Sequence, residues 1–133
     1  MKRKDKIKGI ISLTVLVLVA WIMFSGKISY RLEKDTFQVG SFLSGNSKVG
    51  IQDIKELELR EGIKTGERLL GISSFRMLGG SFANEEFGKY KLYKYKDLDK
   101  VIVIYTADGV IVFNLETEEK TQNIFKELQE IIK

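Results

Sequence analysis

The residues best suited to chemistry lie in one short run: Lys89, Tyr90, Lys91, Tyr93, Lys94, Tyr95 and Lys96. Cations interleaved with aromatic rings offer both charge and stacking to an anionic head group or small ligand. Strand alternation sets Lys89 and Lys91 on one side and Lys94 and Lys96 on the other, so the four make no single stripe. A solvated edge strand guarded by lysine is the competing reading. Residues 66–73 nearly match a phosphate loop, but Ile72 stands where that loop needs lysine, which removes the contact to the β and γ phosphates. Asp97, Asp99 and Asp108 offer carboxylates without the spaced loop that calcium requires; 97–100 reads as a hairpin turn. The chain has no His and no Cys. It therefore lacks thiolate and imidazole metal ligands and any Cys or Ser-His nucleophile. The expectation is a chain with no cofactor, no metal and no catalytic residues.

These groups must be positioned by the rest of 133 residues, enough for one domain. Lys2, Arg3, Lys4, Lys6 and Lys8 against Asp5 account for the whole net charge of +4. The remainder is neutral, which weakens long-range attraction to phosphates and argues against a nucleic-acid partner. Residues 9–26 carry no charge and are apolar around the whole helical circumference. At 1.5 Å per residue they reach roughly 27 Å, near the thickness of a bilayer core. A transmembrane anchor is expected, with Ile10, Leu13, Leu16, Trp21 and Phe24 among its lipid-facing residues. The polybasic tail 1–8 stays on the cytoplasmic side, so residues 27–133 sit outside the cell membrane in a single-pass arrangement. Cleavage after Ser25 or Gly26 would need a small residue where Met23 or Phe24 stands, so the leader reads as uncleaved. A pilin-like leader is disfavoured by Thr14 in place of an acidic residue.

Beyond residue 26 the pattern is mostly period two. Ile28, Tyr30 and Leu32 alternate with polar residues, Lys34-Asp35 reads as a turn, and strands follow near 36–42, 48–51, 54–59, 80–87, 89–96, 101–106 and 110–115. Gly62, Gly66, Gly71, Gly79 and Gly80 mark turns and a closely packed connection between them. That connection is rich in Leu69, Leu70, Ile72, Phe75, Met77 and Leu78, which either tuck inward or form a contact surface. Asp108-Gly109 reads as the turn of the last hairpin, setting Tyr105 opposite Val112 and Ile104 opposite Phe113. One face of that hairpin carries Ile102, Ile104, Ile111, Phe113 and Leu115; the other carries Val103, Tyr105, Val110 and Val112. Both need cover. A second sheet or the final helix would cover the second face. Otherwise Val103, Tyr105 and Val112 form a partner site. Residues 117–132 carry apolar positions at helical spacing, capped by Thr117.

Antiparallel strands followed by one amphipathic C-terminal helix resemble the pleckstrin-homology fold. The stretch Gly71…Gly80-Ser81-Phe82, then Gly88-Lys89-Tyr90 leading to Tyr93, then the hairpin ending in Asn114 and the helix with Phe125 and Leu128, is similar to bacterial PH-like domains. The resemblance covers about residues 28–132. It implies a mainly β split barrel of about seven strands capped by one C-terminal helix. It further implies a membrane-anchored binding or assembly module that meets a protein partner or a second copy. The lipid-binding basic hairpin loop of some relatives is replaced here by Glu33-Lys34-Asp35, so that function is not carried over. An anionic head group or small ligand on Lys89, Lys91, Lys94 and Lys96 is the alternative.

Overall fold

The computed structural model describes residues 3–24, 26–42, 44–74 and 76–132, without the side chains of residues 4, 5 and 22–24. Helix α1 runs Arg3–Phe24 and is followed by nine strands: β1 Ile28–Leu32, β2 Thr36–Ser41, β3 Gly45–Gly50, β4 Ile54–Arg60, β5 Glu67–Ser73, β6 Met77–Asn84, β7 Gly88–Tyr95, β8 Val101–Thr106 and β9 Gly109–Phe113. Helix α2, Glu118–Ile132, closes the chain. Thr117 caps it as its spacing predicts, its Oγ1 accepting the Lys120 amide at 3.1 Å.

The strands form two sheets and no closed barrel. One is the meander β1-β2-β3; the other runs β4-β8-β9-β7-β6-β5. The first three strands use local turns, with the Glu33 amide donating to the Thr36 carbonyl at 2.9 Å across Lys34-Asp35. After β3 a single 3-10 turn, Ile51–Asp53, carries the chain to the far edge of the second sheet. Hydrogen-bonded pairing stops there, so a shared core rather than a continuous ladder joins the sheets.

Two expectations about order are corrected. Residues 67–73, read as a glycine-marked connection, form β5, and the described residues hold nine strands where the resemblance implies about seven. The ladder is also not wholly antiparallel: β9 inserts between β7 and β8 and runs parallel to β7, with Leu92 opposite Val112. The β8–β9 turn is Ala107-Asp108, since Thr106 faces Gly109 and Tyr105 faces Val110. This register differs by two from the one that Asp108-Gly109 implies. A shift of two preserves side-chain parity, so the two faces keep their membership.

The main core lies between the sheets and α2. Ile28, Phe37, Val39 and Val49 of the small sheet meet Met77, Tyr93, Tyr95, Ile102, Ile104 and Phe113 of the large one, with Ile124 and Leu128 from α2. The Phe37 and Phe113 rings pack edge to face at 5.2 Å between centroids. Two tyrosine hydroxyls stitch the layers: Tyr95 accepts the Ile28 amide at 2.8 Å, and Tyr93 meets Ser47 Oγ at 2.6 Å. Lys100 braces the outside, bonding Glu61 at 3.2 Å and Glu118 at 2.7 Å. A second cluster fills the opposite face of the large sheet with Phe82, Tyr90, Leu92, Val101, Val103 and Val112. Its cover is neither the small sheet nor α2. Ile63, from the β4–β5 connection, and Phe87, from the β6–β7 turn, pack on it instead.

The transmembrane expectation is not met among the described residues. Among the described residues, no helix is long and apolar enough to cross a membrane. Basic residues occupy the first turns of α1, and its uncharged run begins at Gly9. Ile10, Leu13, Leu16 and Trp21 are exposed on that helix. The side chain of Phe24 lies outside the described residues.

Candidate functional site

Where the small sheet diverges from the large one, a cleft of about 500 Å³ opens at the end of the main core. Ser47, Lys48, Gly50 and Asp53 line it from β3 and the following turn. Ser81, Lys89 and Lys91 line it from β6 and β7, and Thr106, Asp108 and Ile111 from the last hairpin. Lys89 and Lys91 share strand parity with Tyr93 and Tyr95, which are buried between the sheets. Toward the start of β7 the same face emerges from beneath the small sheet, so its earlier odd positions, Lys89 and Lys91, are charged. Lys91 Nζ donates to Ser81 Oγ at 2.6 Å, which orients the cation over the cleft. On the opposite wall, the Thr106 hydroxyl donates to the Gly109 carbonyl at 2.9 Å and accepts the Asp108 amide at 3.2 Å. This ties down the turn that carries the Asp108 carboxylate.

The four lysines singled out by the sequence do not come together. Lys94 belongs to the opposite parity and is 8% exposed, with Nζ donating to the Tyr95 carbonyl at 3.0 Å. Burial lowers its pKa, against the raising pull of Asp99 and Asp97. Lys96 is exposed just past the end of β7 and does not line the cleft. The tyrosines between them are mainly structural. Tyr93 and Tyr95 are both pushed upward in pKa by burial.

Tyr90 lines the cleft and is 3% exposed, and its hydroxyl donates to the Thr65 carbonyl at 2.6 Å. Burial pushes its pKa from 10.0 up to about 12. Between those values the unfolded chain has lost a proton that the fold retains. Stability therefore falls as pH rises across that window, by roughly 2–3 kcal/mol at its upper end. Tyr90→Phe is expected to remove this share of the alkaline slope in chemical denaturation followed from pH 9 to 12.

Val103 and Val112 are wholly buried, so neither presents a contact surface in this fold. The sequence shows both faces of the hairpin as apolar, but not the local segments that fold over the second. Of that trio only Tyr105 reaches the surface, bonding Glu58 at 3.2 Å and packing edge to face on Phe87 at 6.1 Å. The apolar surface that is open lies elsewhere. β5 is one of the two outer strands of the large sheet, and Leu69 and Leu70 on it are 44% and 76% exposed. The leucine pair within a glycine-marked run is the signal for it. Phe42, on the β2–β3 turn, is 94% exposed.

Among the described residues, no cluster of acidic side chains is arranged to hold a metal ion. A family model described as a bacterial PH domain matches residues 28–126. No curated protein and no solved structure matches the chain.

Proposed function

This chain belongs to the bacterial PH domain family, and from that premise we propose a non-catalytic binding module. It meets a protein strand, from a partner or a second copy, along the open edge β5 while α1 holds it to a membrane. The observation that carries the contact is the edge itself. β5 pairs only with β6, so its outer row of backbone donors and acceptors has no partner strand, although the register shift between Arg68 and Leu70 interrupts that row once. Edges not meant for pairing are guarded by charge along their length. Here Glu67 and Arg68 guard only the start, and Leu69 and Leu70 follow. An added strand would satisfy the backbone row and cover both leucines.

Because the chain has no cysteine, Leu70→Cys supplies a unique thiol. A maleimide–benzophenone attached to that thiol should photo-cross-link the variant to a protein, either a second copy or a partner, while the same reagent on Lys55→Cys, on the exposed face of β4, should not. Equal yields from both positions would remove β5 as the interface.

Support for membrane attachment comes from the uncharged residues 9–26, the five basic residues ahead of them and the unbroken helix. The one threonine in the run satisfies itself, its Oγ1 donating to the Ile10 carbonyl at 2.8 Å. Gly26, at the exit of α1, sits against Met77 and Ser74. Phe42 follows Ser41, the strand partner of Ile28, at this same end of the domain. The polybasic tail would keep the N-terminus cytoplasmic and place the PH domain on the outer side. The full chain should remain with membranes after alkaline carbonate extraction, and a chain lacking residues 1–26 should stay soluble. Release of the full chain at alkaline pH would end the attachment reading.

A further inference from the structure

The cleft between the sheets carries charges of both signs that do not neutralise one another. Lys48, Lys89 and Lys91 line it, with Asp53 and Asp108. Among the described residues none of these five enters a salt bridge; the recorded pairs all use other side chains. They arrive from separate parts of the fold: Lys48 and Asp53 flank the crossing between sheets, the other lysines come from β7, and Asp108 from the β8–β9 turn. Surface charges set this way around a concavity are usually paired or dispersed. Here the hydroxyls of Ser47, Ser81 and Thr106 lie between them, and the volume falls in the range of small-molecule sites.

We propose that this cleft binds a small zwitterion, its phosphate or carboxylate held by Lys89 and Lys91 and its ammonium by Asp53 and Asp108. An anion alone would satisfy the lysines but bring negative charge toward two carboxylates. A cation alone has the reverse difficulty. A molecule carrying both signs satisfies each set, and charge-assisted hydrogen bonds supply orientation as well as affinity.

The position in the fold favours a dissolved ligand over a lipid head group. The Met77–Tyr95 row of the β6–β7 ladder lies beside Gly26, where α1 ends. The Ser81–Lys91 row is four residues further along, about 13 Å at strand rise, with Asp108 at a turn beyond. A head group in a bilayer at the α1 end would have to leave its leaflet to reach the cleft. β5 contributes only Leu69 to the lining, and none of the charged or hydroxyl groups that would hold the ligand comes from that strand, so the site stands whether or not that edge binds a partner.

The test uses the full chain in detergent micelles, with amide chemical shifts of Gly50, Ser81 and Gly109 as the readout. Phosphoethanolamine should move these signals saturably. Inorganic phosphate and ethanolamine should each bind at least about tenfold more weakly, the loss expected for a missing charge-assisted contact. The double variant Lys89→Gln and Lys91→Gln should weaken both phosphate compounds, whereas Asp108→Asn should weaken phosphoethanolamine alone. Micelles doped with short-chain phosphatidylethanolamine should leave the three amides unmoved. Equal affinity for phosphate and phosphoethanolamine would reduce the cleft to a nonspecific anion patch, and no saturable shift with any compound would overturn the site outright. A response to the doped micelles alone would replace the dissolved ligand with a lipid one.

Discussion

Asn114→Ala should lower the free energy of unfolding by roughly 3 kcal/mol, a fall in Tm of about 15 °C for a domain of this size. Asn114 is wholly buried just past β9, and its amide joins three backbone segments. Its Oδ1 accepts the Tyr95 amide at 2.8 Å, while Nδ2 donates to the carbonyls of Leu98 and Lys100, both at 3.2 Å. Those partners mark the end of β7 and the connection to β8, the segment that must swing outward so that β9 can lie between the two strands. Removing the amide leaves one donor and two acceptors facing an apolar interior, and each unsatisfied group is costly. Asn114→Asp separates satisfaction from shape, since it keeps the acceptor and loses the donors. It should fall well below wild type in urea denaturation. Near-wild-type stability for both variants would show that the connection is held by other contacts.

Gly80→Ala should cost about 2–4 kcal/mol and act first on β5. Gly80 has φ +133 and faces Gly71, with φ +135, across the β5–β6 ladder. A Cβ on either residue would run into the facing strand, Gly80 into the Leu70 carbonyl oxygen and Gly71 into the Gly79 carbonyl oxygen. These are backbone atoms, which cannot swing aside as a side-chain tip can. Gly109 serves as the control: its φ is +142, but a Cβ there meets open space, so Gly109→Ala should cost only about 1 kcal/mol. Hydrogen exchange would localise the damage. Gly80→Ala should expose the amides of β5 and β6 while those of β8 and β9 stay protected, and cross-linking through a cysteine at position 70 should fall with them. Uniform loss of protection would show that the glycine pair supports the whole fold rather than the edge.

How much could be read in advance depends on the range of the interaction. β1 and β8 match their expected limits, and α2 begins one residue after its predicted cap, because alternation, turn residues and capping act over a few positions. The faces of the last hairpin were legible even though its register was not, since parity survives a slip of two. β5 was missed because its glycines resemble turn punctuation. They instead permit close approach of two strands, which only the facing partner reveals. The lysine run was legible as charge but not as geometry: strand parity separated two pairs, and only the end of the small sheet left Lys89 and Lys91 open while Lys94 went under cover.

From its residues alone the chain declared a mainly β domain with one amphipathic C-terminal helix, a neutral body behind a basic, apolar leader, and no imidazole or thiol chemistry. Such properties follow from composition and short periodicities, which need no knowledge of distant partners. The tertiary structure decided that the sheets stay open, that β9 lies between β7 and β8, that Val103 and Val112 are interior, and which charges meet around the cleft. Each of those depends on contacts between segments far apart in sequence, whose closing entropy is repaid only by the assembled core. No local pattern encodes which distant strand will supply that core.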